Sequence, residues 1–304
     1  MYMKKRIAAL ITGFALINCL PVWAEGDVRV SYLGPAGTYT EEAAQFFFQS
    51  GETMTPAETV NDAIADLLSG EADYAVIPQE NTVGGAVVNY VDALIGAEDT
   101  YVTGEVILPI SQTLMGVPGA TLEDIQIVCS HAQGLTQSAQ WRAENLPDAR
   151  TEEMASTAAA ASYVAETRDA RIAAVAAPGA AALYGLEVLS ERVQLTDANR
   201  TRFYVLSRQA LADEGLTRAV FLLTCEGNRL DDFIVKIRDA GLELAALHDR
   251  PEGSRLGMYR YLIEVTDETG ITDDQLAACE DEDARCAGRF EAVEPAAPAK
   301  DDMR

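Results

Sequence analysis

The stretch 73–87, which reads DYAVIPQENTVGGAV, constrains the fold of this chain more than any other. Its apolar first part stops at Pro78, and polar side chains follow at once. That order predicts a buried strand whose carboxyl end opens into a polar loop, which is where open α/β sheets place their ligands. We therefore expect Glu80, Asn81 and Thr82 to belong to a functional site.

Strand and helix patterns alternate through the first two thirds of the chain. Strand patterns lie at 28–33, 74–77, 101–107, 125–129, 172–176 and 204–207, and helix patterns at 43–48, 59–68, 87–95, 134–145, 156–165 and 180–184. A repeated βα order predicts an α/β fold with mostly parallel sheets and helices on both faces. Residues 25–210 are numerous enough for two lobes with a cleft between them.

The last third of the chain has a different order of predicted strands and helices. Strands are predicted at 219–225, 242–248, 258–265 and 290–293, with helices at 229–240 and 272–285. This βαββαβ order is the ferredoxin-like pattern, and we expect a second domain over 217–293 after a polar linker at 208–217. The tail 294–304 is rich in proline, alanine and charge, and its composition predicts disorder.

The first 24 residues have the composition of a secretory signal peptide. Three bases, Lys4, Lys5 and Arg6, precede a mostly apolar run at 7–22, and Ala24 is a small residue at the expected cleavage position. The run is shorter than the ~20 residues that a membrane span needs, which favours a cleaved leader over an anchor. Lipidation of Cys19 is a further alternative. We expect a periplasmic or secreted protein.

The charge balance limits the partners. The net charge is −25, and removing the three leader bases changes it to about −28. Such acidity argues against nucleic acid and, once the leader is removed, against membrane surfaces. With His131 and His248 the only histidines and no C-x-x-C pair, a metal site is not expected.

A glycine loop follows the first predicted strand. Gly34 to Thr38 lead into a helix whose start has the capping-box spacing of Thr38 and Glu41. The loop fits either an anion-binding site or a tight, well-capped βα turn.

A second polar loop follows the strand at 125–129. Ser130, Gln133 and Gln137 are neutral donors suited to carboxylates and hydroxyls. His131 fits either a catalytic role or a partly exposed loop position. No acid lies close in sequence to build a serine triad, so nucleophilic catalysis is not supported.

Residues 199–203 read NRTRF, the most concentrated positive patch outside the leader. Arg200 and Arg202 could hold an anion or pair with surface acids.

Five of these stretches together resemble the prephenate dehydratase family. They are GPAGTYTEEAA at 34–44, IPQENTVGGAV at 77–87, SHAQGLTQ at 130–137, STAAAA at 156–161 and NRTRF at 199–203. The resemblance implies a two-lobed catalytic domain like a periplasmic binding protein, followed by an ACT regulatory domain. One departure is Gln79, where the family usually carries an aliphatic residue.

The resemblance also implies an activity, the conversion of prephenate to phenylpyruvate with loss of carbon dioxide and water, without a metal or organic cofactor. Thr201 would serve the departing hydroxyl, with Glu80 as a candidate proton donor and Asn81 beside it. Thr201 and Glu80 should therefore converge across one cleft. Substrate-binding positions implied by the family are Thr38, Tyr39, Thr82, Ser130, Gln133, Gln137 and Arg202.

In the C-terminal region, the resemblance implies a phenylalanine effector bound between subunits of a dimer or tetramer. The family's two effector motifs read Gly-Ala-Leu and Glu-Ser-Arg-Pro, and the corresponding positions here are Asn228, Arg229, Leu230, His248, Asp249, Arg250 and Pro251. Leu230, Arg250 and Pro251 match these motifs, and the other four positions differ. Two alternatives stay open: arogenate as the substrate, or an exported binding or sensing protein without catalysis.

Overall fold

The computed structural model describes residues 28–49, 52–83, 85–86, 88–97, 99–196, 198–213 and 215–295. The predicted signal peptide and most of the predicted disordered tail lie outside these ranges. No helix in the described ranges is long and apolar enough to cross a bilayer.

Sixteen strands and nine α-helices are numbered in chain order among the described residues. The strands are β1 Arg29–Leu33, β2 Thr53–Ala57, β3 Tyr74–Asn81, β4 Gly85–Ala86, β5 Tyr101–Pro109, β6 Thr113–Gly116, β7 Ile127–Ser130, β8 Arg150–Glu153, β9 Ile172–Ala176, β10 Glu187–Ser190, β11 Arg200–Ser207, β12 Arg218–Glu226, β13 Glu243–Pro251, β14 Met258–Thr266, β15 Ala284–Phe290 and β16 Ala292–Val293. The helices are α1 Tyr39–Phe48, α2 Val60–Ser69, α3 Val88–Gly96, α4 Ala132–Gln137, α5 Ala139–Asn145, α6 Thr157–Thr167, α7 Pro178–Tyr184, α8 Leu230–Asp239 and α9 Asp273–Cys279.

The first lobe is built on a sheet in the order β16-β5-β11-β3-β1-β2, with β4 added to β3. It is mixed rather than mostly parallel, because β11 runs antiparallel to both β3 and β5. Its central strands are largely apolar on both faces, since helix α1 covers one face and α2, α3 and the C-terminal unit (β12 to β15) cover the other. The chain returns to this sheet through β11, which brings residues 200–207 beside β3.

The second lobe has a sheet in the order β10-β6-β9-β7-β8. Its core is rich in alanine: α6 packs small side chains against β9, which is buried at every position. The single helix predicted over 134–145 is divided into α4 and α5, because Ser138 leaves helical geometry at ψ 1°. Two chain crossings, after β5 and before β11, join the lobes.

The C-terminal unit is an antiparallel sheet in the order β13-β14-β12-β15, with α8 and α9 on one face. Its other face packs against the first lobe, where Val220, Leu262 and Phe290 join the same core as Tyr204 and Leu206. The helix predicted over 272–285 ends at Cys279, so Cys286 lies in β15 and not on that helix.

Candidate active site

A cleft of about 580 Å³ opens between the two lobes. The first lobe contributes the loop after β1 and the adjoining ends of β3 and β11. The second lobe contributes the starts of α4 and α6. The polar residues that line it are Thr38, Tyr39, Thr40, Glu58, Asn81, Tyr90, Gln112, His131, Gln133, Gln137, Ser156, Thr157 and Thr201.

Asn81 and Thr201 form the centre of this polar lining. They are cross-strand partners in the antiparallel pair of β3 and β11, so their side chains share one face of the sheet. Asn81 Nδ2 donates to Thr201 Oγ1 at 2.9 Å and to Asn199 Oδ1 at 2.8 Å. Because the Thr201 oxygen accepts from Asn81, the hydroxyl hydrogen of Thr201 is directed elsewhere. Thr201 can therefore donate to a group bound in the cleft.

The carboxamide oxygen of Asn81 is also engaged. It accepts from the backbone N–H of Val83 at 2.9 Å and from Gln133 Nε2 at 3.2 Å, the latter across the cleft. Both ends of the carboxamide are thus held, which fixes the orientation that presents N–H to Thr201. The contact between Gln133 and Asn81 joins the second lobe directly to the proposed catalytic pair.

Gln137 and Gln112 extend the donor set on the second-lobe side. Gln112 Nε2 donates to Gln137 Oε1 at 3.0 Å, so the amide hydrogens of Gln137 are available to the cleft. Sequence reasoning missed Gln112, because it lies in the crossing segment after β5 where no motif marks it.

His131 lies at the start of α4. Its Nδ1 accepts from the backbone N–H of Gln133 at 3.3 Å, which places the hydrogen of the neutral ring on Nε2. The ring therefore lines the cleft as a further donor.

Helices α1 and α6, which are both longer than α4, begin at the cleft wall. Thr38 caps α1 by accepting from Glu41 N, and Ser156 caps α6 by accepting from Ala159 N at 2.9 Å. The positive ends of both helices face the same space. Among the described residues that line the cleft, none is a lysine or an arginine, so positive potential for an anion comes from these helix ends and from neutral donors.

Tyr39 lines the cleft but uses its hydroxyl for structure. It donates to the backbone carbonyl of Ser111 at 2.6 Å, in the crossing segment between the lobes. Burial raises the pKa of Tyr39 well above its usual range, so the phenol stays neutral. Tyr184 makes a second contact between the lobes, donating to Ala36 O at 2.7 Å.

The expectation that Glu80 and Thr201 converge in one cleft is wrong. Glu80 is the cross-strand partner of Arg202, and consecutive residues of a strand point to opposite faces, so both side chains lie behind the cleft wall. Glu80 accepts from Arg202 Nη1 at 3.0 Å. Arg202 also contacts Glu105 and Glu264, which removes it as a carboxylate ligand of the cleft.

Ser130 and Thr82 support the site without lining it. Ser130 is fully buried and donates to Val175 O at 2.6 Å. Thr82 donates to Ala198 O at 3.2 Å and accepts from Arg200 N at 2.9 Å, which ties the loop after β3 to the start of β11.

The predicted effector positions are dispersed. Asn228 lines a separate hollow of about 340 Å³ with Glu226, Leu256 and Tyr259, whereas Leu230 starts α8 and Arg229 pairs with Asp232. The second group, His248, Asp249, Arg250 and Pro251, lies along β13. Arg250 contacts Asp92 of α3, so its guanidinium joins the C-terminal unit to the first lobe.

Comparison with known proteins gives concordant matches. The family model described as "Prephenate dehydratase" matches residues 30–211. The chain is 34% identical over 241 residues to the prephenate dehydratase of Amycolatopsis methanolica, covering 78% of each protein. It is 32% identical over 243 residues to the bifunctional chorismate mutase/prephenate dehydratase of Aquifex aeolicus, covering 79% of this chain but only 66% of that longer protein.

Two solved structures are similar along nearly the whole fold. The prephenate dehydratase of Arthrobacter aurescens in complex with L-Phe has a TM-score of 0.77 and 29% identity, with 90% of this chain and 94% of that chain covered. GqqA, described as a novel type of quorum quenching acylase, has a TM-score of 0.78 and 26% identity, with 87% and 98% covered. No group of three or more potential metal ligands occurs within the described ranges.

Proposed function

The chain belongs to the prephenate dehydratase family, and we propose that its interlobe cleft catalyses the decarboxylating dehydration of prephenate to phenylpyruvate. The observation that carries this proposal is the hydrogen bond between Asn81 and Thr201 in the cleft. The Thr201 oxygen accepts from Asn81, so the Thr201 hydroxyl can act as a donor to a bound substrate. The enzyme is a carbon–oxygen lyase.

The chemistry needs little from the protein beyond position and hydrogen bonds. Prephenate carries a ring hydroxyl opposite a ring carboxylate. The electrons of the carbon–carboxylate bond move into the ring as carbon dioxide leaves. The carbon–oxygen bond of the hydroxyl breaks, and the departing oxygen takes up one proton from solvent and leaves as water. Because the ring becomes aromatic, the driving force lies in the substrate. The Thr201 hydrogen bond stabilises charge that develops on the departing oxygen.

The remaining polar groups would hold the two carboxylates. The starts of α1 and α6, near Thr38 and Ser156, offer backbone N–H groups and helix dipoles to an anion. Gln133 and Gln137 offer amide donors from the second lobe. The acidic surface of the protein repels an anionic substrate as it approaches the cleft. Salt screens this repulsion, so we expect the Michaelis constant for prephenate to rise as the ionic strength falls.

The direct test is to incubate the purified protein with prephenate and measure phenylpyruvate formation. A parallel arm uses arogenate, which has an amine in place of the keto group. Turnover of arogenate alone would reassign the substrate. Binding of prephenate without turnover would support the alternative of an exported binding or sensing protein and overturn the enzymatic proposal.

The C-terminal unit is proposed to be an ACT domain that responds to phenylalanine. Its βαββαβ order and the L-Phe complex of the Arthrobacter relative support this assignment. The hollow at Asn228 is the candidate for one part of the effector site, and β13, at the edge of its sheet, would pair across a dimer. Calorimetric titration with phenylalanine tests the site, and absence of binding would remove the regulatory assignment.

The leader supports an exported protein as a proposal of its own. The mature chain would begin at Glu25. Cell fractionation, with N-terminal sequencing of the recovered protein, tests it, and an intact Met1 in the cytoplasmic fraction would contradict it.

A further inference from the structure

Arg202 joins the active-site strand to the C-terminal unit. It follows Thr201 directly in β11, and its side chain projects from the opposite face of the sheet. There it contacts carboxylates from three other strands: Glu80 of β3, Glu105 of β5 and Glu264 of β14. Only Glu264 belongs to the C-terminal unit.

The contacts of Arg202 with Glu105 and Glu264 are deeply buried. The side chain of Glu105 is 0% exposed, that of Glu264 3% and that of Arg202 16%. Arg218, which starts the C-terminal unit, adds a second guanidinium 3.1 Å from Glu105. Two guanidinium groups thus face three carboxylates, of which Glu105 and Glu264 are buried, whereas the side chains of Glu80 and Arg218 are 34% and 30% exposed. Removing one partner of such a buried pair leaves a charge uncompensated, so the arrangement resists displacement.

We propose that Glu264 is a positioning residue of the active site, which holds Arg202 and thereby fixes where the preceding residue, Thr201, presents its hydroxyl. The inference rests on the proposed dehydratase function. A guanidinium bound by carboxylates on several sides has one fixed orientation, and the backbone of β11 is held with it. A displacement of about 1 Å at Thr201 would separate it from Asn81 and from the substrate, at a cost of up to ~100-fold in rate. The C-terminal unit therefore contributes to holding the cleft in the geometry that catalysis needs.

The Glu264–Arg202 contact is also a route by which movement of the C-terminal unit would reach the cleft. Glu264 is paired in β14 with Val220 of β12, at the centre of the C-terminal sheet. None of the described residues that line the cleft belongs to this sheet, whereas Glu264 contacts Arg202 directly, so a shift of the sheet relative to the first lobe would act on β11 through this contact.

The kinetic test compares Glu264→Gln and Glu264→Ala with a control at the same domain interface. Asp92→Asn removes the acid that binds Arg250, so it weakens the junction without touching β11. We expect Glu264→Ala to lower kcat by ~10- to 100-fold with KM within about threefold of wild type. Glu264→Gln, which keeps an acceptor, should lose less, and Asp92→Asn should retain wild-type kcat.

A double-mutant cycle separates positioning from general destabilisation. If Glu264 acts through Arg202, the variant with both Arg202→Gln and Glu264→Gln should lose no more kcat than Arg202→Gln alone. Additive losses, a wild-type kcat in Glu264→Ala, or equal losses in Glu264→Ala and Asp92→Asn would each overturn the proposal.

Hydrogen exchange gives a readout that does not depend on turnover. Backbone amides of residues 200–203 should exchange faster in Glu264→Ala than in wild type or Asp92→Asn. If exchange at residues 200–203 is unchanged in Glu264→Ala, the positioning role is overturned, whether or not the wild-type protein acts on prephenate. If the wild-type protein is inactive on prephenate but the expected exchange pattern is found, only the dehydratase proposal is overturned.

Discussion

Asn81 and Thr201 are 120 residues apart in sequence, yet their side chains are joined by a hydrogen bond of 2.9 Å between adjacent antiparallel strands. That bond runs from the amide to the hydroxyl oxygen, so the single hydroxyl hydrogen of Thr201 can be donated to a ligand.

We expect Thr201→Ala to lower kcat by at least ~100-fold, because the donor to the departing hydroxyl is lost. Thr201→Ser, which keeps the hydroxyl, should retain most of the activity. Thr136→Ala is the matched control, since that hydroxyl donates to its own helix at Ala132 O. Steady-state kinetics with prephenate check this, and near-normal turnover by Thr201→Ala would refute the assignment.

The orientation of the hydroxyl is tested separately by Asn81→Asp. An aspartate has no hydrogen to give Thr201, so the threonine would turn its own hydrogen toward the carboxylate and away from the substrate. We expect kcat to fall by at least ~100-fold while the fold is retained. Asn145→Asp, at an exposed helix end, is the control. Retained turnover in Asn81→Asp would show that the direction of this bond is irrelevant to catalysis.

Gln79 offers a test of stability. It is fully buried in β3, and neither polar atom of its side chain has a hydrogen-bond partner in the portion of the chain that the structure describes. Replacing an unsatisfied buried amide by a side chain of similar size should stabilise the protein, so Gln79→Met is expected to raise the free energy of unfolding by ~1–3 kcal/mol. Urea denaturation measures it. Gln126→Met, at an exposed position, should change stability by less than about 0.5 kcal/mol, and an equal or lower stability of Gln79→Met would contradict the expectation.

The buried carboxylate of Glu105 predicts a pH dependence. Burial raises the pKa of Glu105 above its usual 4.5, against the opposing effect of Arg202 and Arg218. Since the folded-state pKa is higher than the unfolded one, the folded state favours the protonated form, and this contribution to stability is lost as the pH rises from 4.5 through the folded-state pKa.

Glu105→Gln resembles the protonated form at every pH. The difference in unfolding free energy between Glu105→Gln and wild type should therefore shift in favour of the variant as the pH rises from about 4 to about 8. Denaturant titrations across that range measure it. A difference that stays constant with pH would show that Glu105 does not titrate differently in the folded protein.

The strand and loop at 73–82 could be predicted from sequence because the signal is local: an apolar run, a proline and then polar residues. The same local pattern predicted that Asn81 belongs to a functional site, whereas the role of Thr201 came from the family resemblance. The roles expected for Glu80 and Arg202 failed for a geometric reason. Residues adjacent in a strand alternate between faces, and only the register of β3 against β11 decides which member of each pair faces the cleft.

Other features depended on the environment of a segment rather than on its composition. Strand β2 contains Pro56, which argues against a central strand, but β2 lies at the edge of its sheet where a missing N–H is tolerated. Strand β11 begins at Arg200, earlier than the apolar pattern indicates, because Arg202 finds buried carboxylates on other strands. Neither fact can be derived from the segment alone.

The two-residue strand β16 runs parallel to β5, at the outer edge of the first-lobe sheet. The polypeptide thus leaves the first lobe after β11, forms the C-terminal unit and then returns to the first-lobe sheet as β16. A protease that cut the connecting segment at 208–213 would produce two fragments that remain associated through main-chain pairing as well as through their shared core. Proteolysis followed by gel filtration under native conditions should therefore yield one species, although a denaturing gel would resolve two.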